Sequence, residues 1–369
     1  MREVKEPEVV IGKGLLQLIT LTIPYLCTIL FVATLVSMNI LGIETTCDET
    51  SFAIVKDGKK IVSQLIASQE KIHLPFGGVV PELACRHHID ALTPLLSETL
   101  KRANLKMDDI DAIAVANGPG LIGALLIGIH FAKGLAWSLK KPLIGVNHIE
   151  AHLYAAMMSQ KKPLLPALGM VISGGHTSLI VIEDIGRYSL LGETVDDAVG
   201  EAFDKVAKML DLPYPGGPHV EKLALQGNPQ AYSLKSGRVK EKPLHFSLSG
   251  LKTAVLYAIR AKKEPLTDQE KADIAASFQY TVFQDILEKI NIAIKQQPET
   301  KAIFLGGGVT QNKTLRTTLE GSLKIPIFWP EKELCLDNAA MIAGLGFHKW
   351  KQDPSDKLLE LEPATNIPF

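Results

Sequence analysis

Directly after Met38 the chain reads Asn39-Ile40-Leu41-Gly42-Ile43-Glu44-Thr45-Thr46-Cys47-Asp48-Glu49-Thr50, an apolar segment that runs into a polar turn. The apolar part has the length and composition of a buried strand. Residues 51–55 and 59–68 have the composition of two further strands, separated by a turn at Asp57-Gly58. This part of the chain is therefore predicted to form three consecutive strands that can pair antiparallel.

The same order of elements returns in the second half of the chain. Residues 167–172 are an apolar run, followed by the polar turn Ser173-Gly174-Gly175-His176-Thr177 and two more strand-like segments at 178–182 and 188–193. Both halves then alternate between helix and strand, with helices predicted at 81–103, 121–139, 267–295, from Gln311 and near Asp337, and strands at 111–116, 301–305 and 324–328. Two lobes built alike indicate an α/β fold of the actin/sugar-kinase/chaperone ATPase type, with a ligand cleft between the lobes.

The lobe boundaries follow from this repeat. We expect residues 38–146 to form the first lobe and 147–350 the second, with a helical insertion at about 199–296 and a tail at 351–369. Residues 1–37 precede the repeat as an apolar extension. Within it, residues 15–36 carry no charge and are long enough to span a bilayer. A start codon assigned too far upstream, with Met38 as the true start, is the favoured interpretation, and a membrane anchor is the alternative.

Composition limits the class of protein. The hydrophobic share of 46% and the charged share of 21% are those of a globular chain. The net charge of −1 gives no basic field of the kind that a dedicated nucleic-acid binder shows. The cysteines have no paired spacing, which favours a reducing, cytoplasmic location and argues against a thiolate metal cage. They are Cys27, Cys47, Cys85 and Cys335.

Two histidines follow a predicted strand at residues 141–146. His148 and His152 are four residues apart, so a helix would place both imidazoles on one face. Glu150 lies between them and points away from His148, which removes the general-base geometry of a zinc protease. Taken alone, this pair is compatible with two interpretations: ordinary residues of a helix surface, or ligands of a metal ion. Asp337, at the start of a predicted helix, could supply the carboxylate of a two-histidine, one-carboxylate site.

Two glycine-rich turns occupy matching places in the repeat. Ser173-Gly174-Gly175 follows a strand, and Gly306-Gly307-Gly308 lies between a strand and a helix. Glycines at such places let backbone N–H groups approach a phosphate. The chain has no Walker sequence, which excludes a P-loop enzyme.

These and several other segments resemble the universal tRNA threonylcarbamoyltransferase family over about residues 38–350. The matching segments, in order, begin with Leu41–Thr50 and Gly77–Ala84 and continue with Gly118–Leu121, His148–His152, Ser173–Thr177, Gly200–Lys205, Tyr214–Pro218, Phe246–Thr253, Gly306–Val309 and Asp337-Asn338. Cys85 stands where the family usually has serine, and Leu336 where it usually has threonine. Neither change replaces an implied ligand, so activity is expected to be retained.

The resemblance implies a reaction and a set of site residues. The family transfers a threonylcarbamoyl group from threonylcarbamoyl-AMP to N6 of adenosine 37 in tRNAs that read codons beginning with A. Carried over by motif, the metal ligands are His148, His152 and Asp337, with Fe2+ as the implied ion and Zn2+ as the alternative. The implied substrate-binding residues are Val171, Ile172, Ser173, Gly174, Gly175, Asp204, Gly217, Glu221 and Asn312.

Catalytic groups and partners complete the expectation. We hypothesise that Asp48 or Glu49 assists deprotonation of N6. The resemblance also implies a non-catalytic paralogue and a P-loop ATPase as partners of a bacterial complex, and an upstream adenylate-forming enzyme. The expected tRNA contacts are the basic residues Lys235, Arg238, Lys240 and Lys242. Two other functions remain as alternatives. A metallopeptidase would not account for the two glycine turns. A nucleotide-dependent kinase or chaperone-like ATPase would give the histidine pair no function.

Overall fold

Two five-stranded sheets of the same topology form the framework of the computed structural model, which describes residues 37–262, 264–356, 358 and 360–365. The chain divides into two units, Met1–Met38 and Asn39–Phe369. The uncharged run at residues 15–36 lies outside the described residues, so its interpretation stays a prediction.

The first sheet has the strand order β3-β2-β1-β4-β5. Strand β1 pairs antiparallel with β2 and parallel with β4, and β3 and β5 form the edges. The central strand is buried throughout except at its first residue, as its apolar composition predicts. The strands are β1 (Asn39–Glu44), β2 (Glu49–Lys56), β3 (Lys60–Ser68), β4 (Ala112–Gly118) and β5 (Leu143–Asn147).

The second sheet repeats this arrangement with the order β10-β9-β6-β7-β8. Its central strand β6 again pairs antiparallel with the next strand and parallel with β9, which follows a crossover. The predicted duplication and α/β fold class are therefore confirmed. The strands are β6 (Ala167–Ile172), β7 (Thr177–Asp184), β8 (Arg187–Glu193), β9 (Ile303–Gly306) and β10 (Ile327–Phe328).

Ten α-helices connect and cover the sheets in the described part of the chain. They are α1 (Glu70–His73), α2 (Pro81–Ala103), α3 (Ile122–Leu139), α4 (His148–Met157), α5 (Val199–Met209), α6 (Gly216–Ala224), α7 (Ser249–Arg260), α8 (Asp268–Gln296), α9 (Lys313–Ser322) and α10 (Ala339–Gln352). The predicted helix at 81–103 is confirmed, and Thr267 caps α8 with its side chain as predicted. The strand predicted at 324–328 is reduced to the two residues of β10.

Helices α4 and α10 lie between the two sheets, and α10, at the end of the second lobe, packs on the sheet of the first. Helix α10 packs on β1 and β2, and α4 packs on β6 and β9. Glycines permit both approaches: a Cβ at Gly42 would collide with the Ala339 carbonyl, and one at Gly169 would lie 2.7 Å from Cδ1 of Leu153. The two helices also pack on each other. The candidate ligands at the start of α4 and directly before α10 are therefore brought together by the core.

Helices α5 to α8 lie between β8 and β9 in the chain and share one apolar core with the second sheet. Phe203 and Phe278 meet edge to face there, with ring centroids 5.0 Å apart. In the first lobe, α3 is long and apolar enough to cross a membrane by length and composition, which makes it the one such helix among the described residues. It packs on β4 and α2, so its apolar character serves the core of this lobe.

Candidate functional site

The histidine pair stands on the first turn of α4. Oδ1 of Asn147 caps the helix by accepting from the N–H groups of Ile149 (2.8 Å) and Glu150 (3.2 Å). The helix therefore begins at His148, and the spacing of four residues places His152 on the same face. The two imidazole rings lie 4.6 Å apart at 79° to each other. Both side chains are buried, so this face is not an ordinary solvated helix surface.

Asp337 approaches both histidines. Its Oδ1 lies 3.0 Å from Nε2 of His152 and 3.5 Å from Nε2 of His148. The neighbouring Asn338 caps α10, with its Oδ1 accepting from the N–H of Met341 at 3.0 Å. Because Asn338 caps the helix, the side chain of Asp337 is free of that function and contacts the two histidines.

The three side chains fit a divalent transition metal. One ligand atom from each of His148, His152 and Asp337 lies within 4.8 Å of the other two. Two imidazole nitrogens and one carboxylate oxygen are the donor set of zinc and non-haem iron enzymes that keep open coordination positions. A metal centre is thus compatible with the geometry, and the identity of its ligands stays a prediction.

Charge interactions set the protonation of this cluster. Burial opposes protonation of His148, but the carboxylates of Glu44 and Asp337 outweigh it and raise its pKa well above the usual value. Burial lowers the pKa of His152. Burial alone would raise the pKa of Asp337, yet the two histidines hold it well below its ordinary range. Asp337 is therefore ionised at neutral pH, as a metal ligand must be.

The acidic turn after β1 lies at the edge of the same cluster. Asp48 and Glu49 are partly exposed. Burial and then the negative charges of Asp337 and Asp48 raise the pKa of Glu49 well above its usual value. Across the cleft, burial and the charges of Asp48 and Asp204 raise the pKa of Tyr214. Carboxylates of the first lobe thus lie close to Asp204 and Tyr214 of the second.

The first glycine turn presents two unpaired N–H groups. Ser173 N donates to the His176 carbonyl (2.8 Å), which closes the turn. The carbonyls of Ser173 and Gly174 accept from the first N–H groups of α5, on Gly200 and Glu201, at 3.1 and 3.2 Å. The N–H groups of Gly174 and Gly175 donate to no protein acceptor in the described part of the chain, and both residues are exposed. They are available to an anionic group.

The second glycine turn serves packing. Gly306 and Gly307 are buried, and Cβ atoms there would collide with the carbonyls of His152 and Ile172. Gly307 also has a φ of +92°, which favours glycine. These two glycines let the turn lie against the histidine helix and the end of β6. The sequence suggested a phosphate contact here, but the close approach is to protein backbone.

Four further predicted substrate residues lie along α5, α6 and the start of α9. Asp204 accepts from the N–H of Gly216 at 2.7 Å and is also hydrogen-bonded by the N–H of Gly217. Oε1 of Glu221 accepts from the N–H of Lys313 at 2.7 Å. Asn312 caps α9 and donates to Oε1 of Gln279 at 2.9 Å. The structure therefore gives Asp204, Glu221 and Asn312 structural hydrogen bonds, and their substrate contacts stay predictions.

The comparisons with known proteins agree with this architecture. A sequence model of the family described as tRNA N6-adenosine threonylcarbamoyltransferase matches residues 60–344. A protein of that name from Protochlamydia amoebophila is 55% identical over 339 residues, covering 90% of this chain and 98% of the relative. The chain belongs to this family. The relative of the same name from Moorella thermoacetica is 47% identical and covers 85% of this chain and 92% of its own.

Solved structures of lower identity share the fold of this family member. HypF from T. kodakarensis is 14% identical with a TM-score of 0.59, covering 85% of this chain and 48% of its own. Component A of the (R)-2-hydroxyglutaryl-CoA dehydratase of Acidaminococcus fermentans is 17% identical with a TM-score of 0.51, covering 86% of this chain and 100% of its own. The fold is the predicted actin/sugar-kinase/chaperone ATPase type.

Sequence reasoning missed the part played by Glu44 in this family member. It is fully buried, and Nδ1 of His148 donates to its Oε2 at 2.9 Å. The only signal in the sequence was an acidic residue at the end of an apolar strand. The two unusual residues lie apart from these contacts: Sγ of Cys85 packs over Gly123, and Leu336 lies beside Gly308. Neither is among the three clustered ligand residues.

Proposed function

We propose that the chain transfers the threonylcarbamoyl group from threonylcarbamoyl-adenylate to N6 of adenosine 37 in tRNAs that read codons beginning with A, with release of AMP. The proposal rests on family membership and on one observation. His176 ends the first glycine turn, and its ring lies 6.2 Å from the ring of His148. The first glycine turn and the cluster of His148, His152 and Asp337 are therefore neighbours, which supports the proposal of an adenylate whose phosphate and mixed anhydride lie side by side.

The first glycine turn would bind the phosphate of the adenylate. The N–H groups of Gly174 and Gly175, which have no acceptor among the described residues, would offer partial positive charge to the anion. Ser173 and the buried end of β6, Val171 and Ile172, would support the turn from below. Asp204, Gly217, Glu221 and Asn312 would surround the sugar and base, where carboxylate and amide groups can pair with hydroxyl groups and ring nitrogens.

His148, His152 and Asp337 would hold the metal ion, which we propose to be Fe2+, with Zn2+ as the alternative. When bound, such an ion supplies positive charge that stabilises negative charge on substrate oxygens. The chain's own residues set the rest of the environment. The low pKa of Asp337 keeps it ionised, and the hydrogen bond from His148 to Glu44 fixes the orientation of that ring.

The transfer itself requires a base and a leaving group. The N6 nitrogen attacks the carbamoyl carbon, the new C–N bond forms, and the bond from that carbon to the phosphate oxygen breaks. AMP leaves with the electron pair, and the proton lost by N6 passes to a carboxylate, which we propose to be that of Glu49 or Asp48. The raised pKa of Glu49 makes its carboxylate a better proton acceptor than an ordinary glutamate.

The charge of the chain indicates that other proteins help to bind tRNA. The net charge of −1 provides little attraction for a phosphate backbone. The candidate basic residues Lys235, Arg238, Lys240 and Lys242 are exposed, and Arg238 and Lys240 lie 4.0 Å from Glu288 and Glu241. We therefore propose a non-catalytic paralogue and a P-loop ATPase as partners, with an adenylate-forming enzyme supplying the donor.

A reconstitution experiment tests this function. The full chain is incubated with unmodified tRNA, threonine, bicarbonate, ATP, the adenylate-forming enzyme and the two partner proteins, and the digested nucleosides are weighed by mass spectrometry. The expected product is threonylcarbamoyladenosine from the native chain and not from His148→Ala. If the native chain makes none while each partner is shown to be active, the transferase proposal is wrong and a kinase-like activity becomes the leading alternative.

A further inference from the structure

We infer that His88 is a positioning residue that clamps residues 47–50, where the turn after β1 enters β2, and thereby holds Asp48 and Glu49 in place for the reaction. The inference rests on the proposed function, because it concerns the carboxylates expected to take the N6 proton. His88 lies on α2, outside the cluster of His148, His152 and Asp337, and no sequence motif pointed to a role for it.

The hydrogen bonds of His88 define its state. The side chain is fully buried, with Nε2 3.0 Å from the carbonyl of Cys47 and Nδ1 2.8 Å from Oγ1 of Thr50. Because a carbonyl can only accept, Nε2 carries the hydrogen and Nδ1 accepts from the Thr50 hydroxyl. Burial lowers the pKa of His88, which keeps the ring neutral and in this tautomer.

These two contacts bracket the carboxylate pair. Cys47 directly precedes Asp48, and Thr50 directly follows Glu49, so one rigid ring joins both sides of the turn. A short chain segment held at both ends has little freedom to move its middle residues. The clamp therefore acts on the backbone from which both carboxylates project.

Backbone hydrogen bonds hold the carbonyl groups on either side of Cys47 to the first lobe as well. The carbonyl of Thr46 accepts from the N–H of Leu121 at 2.9 Å, and the carbonyl of Asp48 accepts from the N–H of Gln69 at 3.1 Å. With the bond from His88 to Cys47, three successive carbonyl oxygens are held by the body of the first lobe. Leu121 and Gln69 donate from their backbone N–H groups, whereas His88 donates from its side chain. A substitution of His88 therefore removes its own hydrogen bond and leaves the two backbone donors unchanged.

The turn needs such restraint because its charges repel. Glu49 lies close enough to Asp48 and to Asp337 for their charges to interact. Repulsion between like charges favours movement of the turn away from the reacting atoms. A displacement of about 1 Å at a reacting group can lower a rate about 100-fold. Loss of the clamp is therefore expected to affect turnover more than substrate binding.

Two single variants remove the clamp from opposite sides. Thr50→Val keeps the size and β-branching of Thr50 but removes the hydroxyl donor, and His88→Gln removes the ring. Thr50→Ser retains the hydroxyl and serves as the conservative variant. His87→Gln changes the neighbouring histidine on α2, which makes neither of these contacts, and serves as the matched control. Thr50→Val tests the inference even if His88→Gln fails to fold.

The experiment combines hydrogen–deuterium exchange of the 44–50 segment with steady-state kinetics of the full chain and its partners. In Thr50→Val and His88→Gln we expect faster exchange of this segment, a kcat about 10- to 100-fold lower, KM values within about twofold, and unchanged metal content. Thr50→Ser and His87→Gln should behave like the native chain. The double variant should be no worse than His88→Gln, since that variant already lacks the hydroxyl–Nδ1 bond that Thr50→Val removes.

Two outcomes separate the inference from the proposed function. If the native chain makes no threonylcarbamoyladenosine, the proposed function fails, while the exchange data still decide whether His88 clamps the turn. If the native chain is active and both clamp variants keep native exchange and a kcat within about twofold of the native value, His88 is not a positioning residue. A purely structural effect would instead lower the melting temperature and the metal content together with kcat.

Discussion

Oε2 of Glu44 lies 2.9 Å from Nδ1 of His148, and both side chains are buried. The other oxygen of Glu44 accepts from the N–H of Thr46 at 2.6 Å. The carboxylate is thus fixed by the backbone of the turn that follows β1, and it determines which nitrogen of His148 carries the hydrogen. With its Nδ1 hydrogen held by Glu44, His148 can give up the hydrogen on Nε2 and offer that lone pair, on the side of Asp337 and His152, to a metal ion.

Glu44→Gln is expected to weaken metal binding about 10- to 100-fold. The amide can present an NH2 group to Nδ1 of His148, where two donors would oppose each other, so the ring loses its fixed tautomer. Zinc affinity measured by competition with a chelating dye checks this result. Glu150→Gln on the same helix is the control, because Glu150 pairs with Lys349 at 3.2 Å and not with a ligand. Equal affinity of Glu44→Gln and the native chain would contradict the assignment.

Gly306→Ala is expected to lower the free energy of unfolding by about 1–3 kcal/mol. A Cβ at this position would collide with the carbonyl of His152, so α4 must shift and metal binding should weaken as well. Urea denaturation and metal analysis measure the two effects. Gly321→Ala, in α9, is the matched control because its Cβ would meet nothing within 4 Å, and it should leave stability unchanged or raise it. A native metal content in Gly306→Ala would show that this turn does not determine the position of α4 and its histidines.

The pH dependence of kcat should reveal Glu49. Its pKa is raised by burial and by the charges of Asp337 and Asp48. As the pH falls through this raised pKa, the carboxylate is protonated and can no longer accept the N6 proton, so kcat falls on the acid side. Asp48→Asn removes one of the negative neighbours and should move this acid limb to lower pH. Glu49→Gln should lower kcat and remove the limb. An unchanged pH profile in both variants would exclude Glu49 as the base.

His348 should make the fold sensitive to mild acid. Burial lowers its pKa to about 4, against an ordinary value of 6.5. Between these values the unfolded chain binds a proton that the folded chain does not, so this contribution to stability is present above pH 6.5 and is lost as the pH falls towards 4. His348→Gln can still donate to Oη of Tyr154 but does not titrate. Urea midpoints at pH 7 and pH 5 should therefore differ less in the variant; an equal difference would refute this role.

The fold was predictable because its information is local and repeated. The apolar strands and polar turns around Ile43 and Ile172 recur in the same order. Each strand can be recognised from its own residues, without knowing which strand it pairs with. The crossing of α4 and α10 between the two sheets was not predictable in the same way. It depends on contacts such as that between Gly42 and Ala339, which are nearly 300 residues apart in the chain.

The candidate site was predictable only in part for a related reason. The spacing of His148 and His152 shows that their rings share a helix face, but no spacing connects them to Asp337, which the core places 3.0 Å from His152. Hydrogen bonds of side chains are still less visible in a sequence. Nothing in the pattern distinguishes Glu44, which holds a histidine, from an exposed acidic residue, or shows that His88 bonds on both sides of the Asp48-Glu49 pair.

A single-turnover experiment tests the transferase account most directly. Threonylcarbamoyl-adenylate carrying a label in the threonyl group is supplied to the full chain and its partner proteins, without the adenylate-forming enzyme, together with tRNA that has adenosine or guanosine at position 37. The account predicts that label enters the adenosine tRNA in an amount equal to the AMP released, and that the guanosine tRNA stays unlabelled. Release of AMP without label in the adenosine tRNA, or equal labelling of both tRNAs, would contradict it.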